Sequence, residues 1–475
     1  MSLLALSGTN SVSTGYDIDN SLKVEPDNTE YLVKTPSSDG NRRTFTISLW
    51  LKRTELGAHM TLFGAQPSSS WTNGNTFQFG FTNDDTFQCG LQTFYVVQTN
   101  RVFRDTSAWY HVVVAVDTTQ STVANRFKLY INGVQETSWL VDQIYGISQN
   151  QDLGINHTTR HQIGRLIQNG WGFAGYIAEM HNVDGQQLAP TSFGEFDDDS
   201  GIWKPKAYTG TYGTNGFYLD FADAADLGDD ESGNGNDYTE NNITAADQAT
   251  DTPTNSFCTL NPLSPSVPTY NTVSEGGTQM NSLGNAWTTV WSSVPLFKGK
   301  WYAEFKRTAT NNVFIGAGGI DSNLYYFNLN YVGNNGNGTT FSVGLYSSNG
   351  DFYSGSGVTG SSYATNDILC LAVDQDNGAI YFRKNNDAWM GDGSNAGNPA
   401  SGSSRTGAQI IDWGTATVLA ASIYSSGDTV QANFGGYTSF SNSTSYSDEL
   451  GMGSFVYEPP ASYLAICTKN LAEYG

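Results

Sequence analysis

The sequence predicts an all-β protein, two antiparallel β-sandwich (jelly-roll) domains in tandem joined by an acidic linker. Three observations carry that prediction. Each half of the chain holds a strand–turn–strand stretch of the same plan. The 52 glycines suit many short strands joined by tight turns. Between the turns, apolar residues follow continuous or alternating patterns instead of the 3.6-residue period of an amphipathic helix. In the first half, residues 109–117 (WYHVVVAVD) run out as a β-branched segment, the pattern of a strand covered on both faces. Residues 126–133 (RFKLYING) return with Phe127, Leu129 and Ile131 on one face and Lys128 and Tyr130 on the other. Asn132-Gly133 then supplies the positive backbone angles of a tight turn. In the second half, residues 367–374 (DILCLAVD) lead out, 375–378 (QDNG) turn, and 379–385 (AIYFRKN) return. Both outbound strands close on Val-Asp. With 475 residues, 38% of them apolar and 13% aromatic, the chain can bury two such cores.

The remaining strands follow in order. A first domain over 1–221 takes 31–34 (YLVK), 44–52 (TFTISLWLK), 60–63 (MTLF) and 76–81 (TFQFGF) before the hairpin, then 162–165 (QIGR) and 173–180 (FAGYIAEM) after it. Residues 208–221 still read as strand. Across 222–261, Asp223, Asp226, Asp229, Asp230, Glu231, Asp237, Glu240, Asp247 and Asp251 occur without one Lys or Arg, so 222–268 reads as a linker extended by self-repulsion. Pro253, Pro262, Pro265 and Pro268 stiffen its far end. A second domain occupies 269–475.

Charge and composition exclude several functions. A formal charge of −23 opposes nucleic-acid phosphates and is better suited to solubility in a salty medium. There is no run of about 18 apolar residues that could cross a membrane as a helix. The opening MSLLALS lacks the basic start and long apolar core of a signal peptide, so none is expected. Cys89, Cys258, Cys370 and Cys467 are far apart and form no C-x-x-C; buried free thiols are expected.

Several segments resemble known families. TFTISLWLKR, SAWYHVVVAVD, FKLYINGV, HQIGR and FAGYIAEMHNVDGQQL match, in order, the landmarks of concanavalin A-like domains of the laminin-G type, over about residues 25–200. GKWYAEFK, NVFIGAGGI, FSVGLYSSNGDFYSG, NDILCLAVDQDNGAIYFRKNN and VQANFGGYTSF resemble the landmarks of SPRY-type sandwiches, which are interaction modules. TSFGEFDDDSGIWKPKAYTGTYGTNGFYLDFAD, SGNGNDYTENNI, DTPTNSFCTLNPL and the tail GSFVYEPPASYLAICTKNL are similar to blocks of structural proteins of tailed phages, particularly marine ones. The resemblance implies a virion structural protein: a tail fibre, tail tip or head appendage.

Candidate chemistry is sparse. Glu195, Asp197 and Asp199 stand two apart, a spacing that on a strand would aim three carboxylates into one cleft, as in glucanases of the concanavalin A-like fold. Gly194, the acidic run and Ser200-Gly201 instead predict an exposed loop, and no catalytic residue is assigned. His157 and His161 have no carboxylate between them, and zinc is not expected. Asp229, Asn234, Asn236 and Asp237 in DDESGNGND offer hard oxygen ligands on a turn, a candidate Ca²⁺ site. Trp71, Trp171 and Trp389 lie among turn residues, where a ring can stack on a sugar; the alternative is that each plugs a sandwich end.

The expectation is a non-catalytic protein on the virion exterior, assembled in the host cytoplasm without a signal peptide. It would be present in many copies or as a homo-oligomer, contact other virion proteins, and bind host-surface glycans. The alternatives are a capsid or tail decoration protein with purely structural contacts and, third, a glycan hydrolase.

Overall fold

The computed structural model describes residues 15–66, 76–91, 94–166, 170–264, 266–267, 269–308, 312–320, 331–334, 341–353, 358–411, 414–440 and 445–475. Trp71, Pro265 and Pro268 lie outside the described residues. The chain divides into two compact units between Asn255 and Ser256.

In the first unit, two eight-stranded sheets face each other. One runs in the order Val134–Gln135, Phe127–Ile131, Tyr110–Asp117, Thr44–Arg53, Gly175–Asp184, Ser21–Val24 and Gln248–Ala249, with Phe217–Leu219 also paired to Gly175–Asp184. The other runs Trp139–Asp142, Phe94–Val102, Thr86–Leu91, Phe77–Phe81, Met60–Gln66, Arg160–Ile163, Tyr31–Lys34 and Thr239–Asn241. The period of two decides which face is core. Phe45, Ile47, Leu49 and Leu51 alternate inward beside Val112, Val114 and Val116, against Phe63, Phe77, Phe79 and Phe87. The outbound hairpin strand is buried on both faces from His111 to Val116, and its partner alternates, as expected. Asn132 and Gly133 hold φ of 49° and 78°, the turn geometry that Asn-Gly favours.

The second unit has an eight-stranded sheet, Asn271–Ser274, Gln279–Ser282, Thr429–Asn433, Lys300–Arg307, Ile368–Asp374, Ala379–Lys384 and Gln409–Ile410, with Leu464–Ala465 added alongside Lys300–Arg307. A five-stranded sheet packs on it: Thr288–Trp291, Thr417–Ile423, Val313–Gly319, Ser342–Tyr346 and Phe352–Tyr353. Trp301, Phe305, Leu369, Leu371 and Val373 meet Ile315, Val343, Leu345 and Leu419 in its core. The shared Val-Asp has a local cause. Asp117 accepts from the Thr119 N–H and hydroxyl, and Asp374 accepts from the Asn377 N–H and amide, so each carboxylate closes the turn its strand enters.

The linker is where structure and expectation part. Residues 222–255 belong to the first unit and 256–268 to the second. Thr239–Asn241 pairs with Tyr31–Lys34, and Gln248–Ala249 pairs with Ser21–Val24. Leu227, Tyr238 and Ile243 enter the first core, while Cys258 and Leu260 enter the second. Two carboxylates of this stretch are paired with lysines across space. Asp251 meets Lys52 at 2.7 Å and accepts from the Trp109 indole at 2.9 Å, and Asp247 meets Lys23 at 2.8 Å. Self-repulsion was the wrong guide because these lysines lie about two hundred residues upstream.

Candidate functional site

The polar face of the first unit's sheet is assembled around one irregularity. In Gly175–Asp184, Ala178 pairs with Trp50 but His181 pairs with Ser48, so one extra residue is inserted. That bulge puts Glu179 at φ 47°, a left-handed conformation rare for a side chain of this size. Two strands share the edge beside it: Ser21–Val24 along 175–177 and Phe217–Leu219 along 180–182, so Ala178 and Glu179 fall between them. Glu179 and His181 are 6% and 3% exposed, beneath the half-buried rings of Tyr16, Tyr212 and Tyr218.

Tyr218 is the cross-strand partner of His181, and their rings stack at 4.5 Å. Its hydroxyl donates to Glu179 Oε1 at 2.6 Å, and the Tyr16 hydroxyl donates to Oε2 at 2.8 Å. His181 Nε2 lies 3.5 Å from Oε2, and Nδ1 is 2.9 Å from the Tyr212 hydroxyl. Tyr208 extends the aromatic surface, 5.1 Å from Tyr212 and 5.0 Å from Phe193. Burial alone would raise the Glu179 pKa, but His181 and the two phenols outweigh it and hold the carboxyl below its ordinary value. Burial and the Glu179 charge push the Tyr218 phenol up, so it stays a donor. The result is an ionised carboxylate beneath phenol donors and half-exposed rings.

The presumed calcium turn supports this site. Asp230 accepts from the Tyr218 N–H, the Ser232 N–H and hydroxyl, and the Asn236 N–H, and Asp237 accepts from the Asp230 N–H. The Asn234 and Asn236 amides donate to carbonyls of Gly213, Thr214 and Gly216. Asp230, absent from the expected ligand set of Asp229, Asn234, Asn236 and Asp237, is the organising residue. Among the described residues no group of three or more His, Cys, Asp or Glu side chains is placed to hold a metal.

Glu195 differs from the expected loop, whereas Asp197 and Asp199 lie in the turn that follows its strand. Gly194–Phe196 pairs with Trp203–Pro205 in a two-stranded ribbon. The Ser200 N–H and hydroxyl, with the Lys204 ammonium, hold the Asp197 carboxyl at about 2. Glu195 lies 3.6 Å from Lys204 and 3.7 Å from Lys206, and Asp199 donates its N–H to Asp197. The ribbon presses Trp203 onto the sheet, its indole donating to His111 Nδ1 at 3.0 Å. His111 Nε2 therefore carries the proton and donates to Ser48 at 2.8 Å. Burial holds this imidazole neutral, its pKa pushed down to about 3. Trp50 stacks on the other side of His111 at 4.7 Å, so this part of the face is sealed.

Of the expected tryptophans, Trp71 lies outside the described residues, and Trp171 and Trp389 belong to different units. Trp171 is half-buried and stacks on His59 at 4.5 Å in the first unit. Trp389, in the second, carries the Arg383 guanidinium over its ring at 4.7 Å. Sequence reading missed Glu179, His181 and the tyrosines. The signal was present in GYIAEMHNVD, where inward Ile177 and Met180 stand three apart and break the period of two.

Comparisons with known proteins give a family match over part of the chain and distant structural alignments. Residues 27–185 match the family model of the concanavalin A-like lectin/glucanases superfamily, laminin-G type. No curated protein sequence matches the chain. The SPRY domain of human HERC1 aligns at 16% identity and TM-score 0.26, covering 34% of this chain and 91% of that one. A second human SPRY domain aligns at 15% and 0.23, covering 33% and 91%. A Bacteroides ovatus protein proposed to bind carbohydrate aligns at 14% and 0.32, covering 48% and 59%. The molecule is thus an all-β protein with a concanavalin A-like jelly-roll domain.

Proposed function

We propose that this chain is a non-catalytic glycan-binding protein that serves as an adhesin on the exterior of a tailed-phage particle. The observation that carries the binding role is the rigid Glu179–His181 pair under the half-exposed rings of Tyr16, Tyr208, Tyr212 and Tyr218. Aromatic faces stack on the apolar face of a sugar, while a fixed carboxylate and phenols take its hydroxyls. The lectin class of the matching family model supports it. The lysine partners of Glu195 and Asp197 argue against the hydrolase reading. The virion role rests on the phage-like blocks within 191–263 and 453–471, and leaves a tail fibre, tail tip or head appendage as its settings, with a capsid or tail decoration protein as the alternative. Trp171 and Trp389, each with one face covered, are secondary stacking candidates. Calcium is no part of this reading.

A single shallow site binds sugar at about millimolar Kd, so attachment would draw on many copies. The test is a glycan array with the full chain, followed by titration of the best ligand. Tyr212→Ala should weaken binding about tenfold, the loss of one stacking contact of about 1.4 kcal/mol, with the ligand recovered uncleaved. An array without a hit, or a Tyr212→Ala chain that binds as well as the parent, would sink the proposal.

A further inference from the structure

At one end of the second unit, three turns enclose an open groove of about 770 Å³. One wall is Phe297, an aromatic ring left 58% exposed, with Ile411 beside it. Asn377 and Ser403 add polar groups, and Arg405 is the cationic side chain among the described lining residues. Asp376 also lines the groove, but its Oδ1 accepts the Gly299 N–H at 2.8 Å, which fixes the neighbouring turn. Asn377 is fixed in the same way through its amide, which donates to Asp374 at 2.9 Å.

The backbone that presents Arg405 is unusual. Gly402, Arg405 and Gly407 all have left-handed φ, at 55°, 47° and 69°. Glycine is the residue this geometry favours, and it occupies the other two positions. An arginine at the third accepts a conformation that a glycine would adopt without strain. The loop is nonetheless well determined. Asn398 N–H donates to the Thr406 carbonyl, Thr406 N–H to the Ser401 hydroxyl, and Ala408 N–H to the Arg405 carbonyl. A strained residue held by so many bonds marks a position where the side chain matters more than local stability.

We propose that this groove binds an acidic saccharide, with Phe297 stacking on the sugar ring and Arg405 pairing with its carboxylate or sulfate. This site belongs to the second unit and shares no residue with the Glu179 site. An aromatic platform beside turn-borne amide and hydroxyl groups suits a pyranose, and the guanidinium fork matches a planar anion. The overall charge of −23 does not forbid it. Charges farther than about 8 Å are screened at physiological salt, so the charges lining the groove, Arg405 and Asp376, decide, and the guanidinium is the one that can pair with an anion.

The test is titration of the full chain with a glucuronate oligomer, an uncharged glucose oligomer and hexaglutamate. The glucuronate oligomer should bind about tenfold tighter than the uncharged one, as expected for a hydrogen bond to a charged group. Arg405→Gly should abolish that preference while the melting temperature stays equal or rises, because the backbone strain is relieved. Phe297→Ala should weaken glucuronate binding in the parent and in the Tyr212→Ala background alike, which separates this site from the first. Equal binding of the two sugars, a preference that survives Arg405→Gly, hexaglutamate binding as tightly as glucuronate, or a Phe297→Ala chain that binds glucuronate as well as the parent would each overturn the proposal.

Discussion

Four buried carboxylates of the first unit and two of the second are held by different means. In the first, the partners are cations: Lys23 takes Glu30 and Asp247, Lys52 takes Asp251, and Arg53 takes Asp85. In the second, Glu304 accepts the N–H groups of Val456 and Tyr457, the Asn433 amide and the Tyr302 hydroxyl. Asp448 accepts the N–H groups of Leu450, Met452 and Ala465 and the Asn470 amide. Asp247 and Asp251 in the first unit, and Glu304 in the second, fasten a late segment of the fold to a sheet formed earlier in the chain. The difference lies in what remains when the fastening is lost. The first unit is left with buried lysines, the second with backbone donors that water can reach once the segment peels away.

The largest test is therefore truncation. A chain ending at residue 221, where the sequence places its domain boundary, leaves Lys23 and Lys52 without Asp247 and Asp251. Lys23 keeps Glu30, whereas the buried Lys52–Asp251 pair is broken, which costs about 3–5 kcal/mol, a large share of the 5–15 kcal/mol of a typical domain. Residues 1–221 should be insoluble, whereas 1–255 and 256–475 should each be soluble and melt cooperatively. A folded 1–221 fragment, checked by circular dichroism and melting, would restore 222–255 to a linker.

Single substitutions sharpen the comparison. Asp251→Ala should destabilise the first unit by about 3–5 kcal/mol, a loss on the order of 10 °C in melting temperature. The double variant Lys52→Met, Asp251→Leu should recover much of it, because no charge is stranded. Asp448→Ala in the second unit should cost only about 1–3 kcal/mol, the desolvation of donors left unmade. Equal losses in calorimetry would mean that the kind of partner does not matter.

Legibility in the sequence follows the range of the forces involved. The hairpins were readable because their information is local: alternation in 127–131, Asn132-Gly133, and a strand-closing Asp that caps its own turn. The role of Asp230, Asp247 and Asp251 was not. Composition alone cannot tell an acidic stretch that repels itself from one whose lysines arrive from distant strands. The Glu179 site falls between these cases. Its bulge is visible as a slip in the apolar period, but Tyr16 and Tyr218 come from 163 and 39 residues away and only the folded sheet unites them. Trp171 and Trp389 show the converse, since turn residues around a ring do not say which face a neighbour covers.

The smallest effect separates the units by pH. Glu179 is held below its ordinary 4.5 by His181 and the phenols against the pull of burial, so its native state binds the proton more weakly than the unfolded chain. Its stabilisation is present above that value and lost as pH falls through the lower folded pKa. Burial raises Glu304 above 4.5, and the Val456 and Tyr457 N–H groups offset this only in part. Its native state binds the proton more tightly, so stability is greatest below 4.5 and declines as pH rises through the higher folded value. The two glutamines isolate these terms. Measured as melting temperature against pH, the gap between parent and Glu179→Gln should close on acidification below 4.5. The gap between parent and Glu304→Gln should instead widen as pH falls from 7 toward 4.5. Gaps that move in the same direction would show that the tyrosine cluster does not keep Glu179 ionised, and would remove the fixed carboxylate from the proposed sugar site.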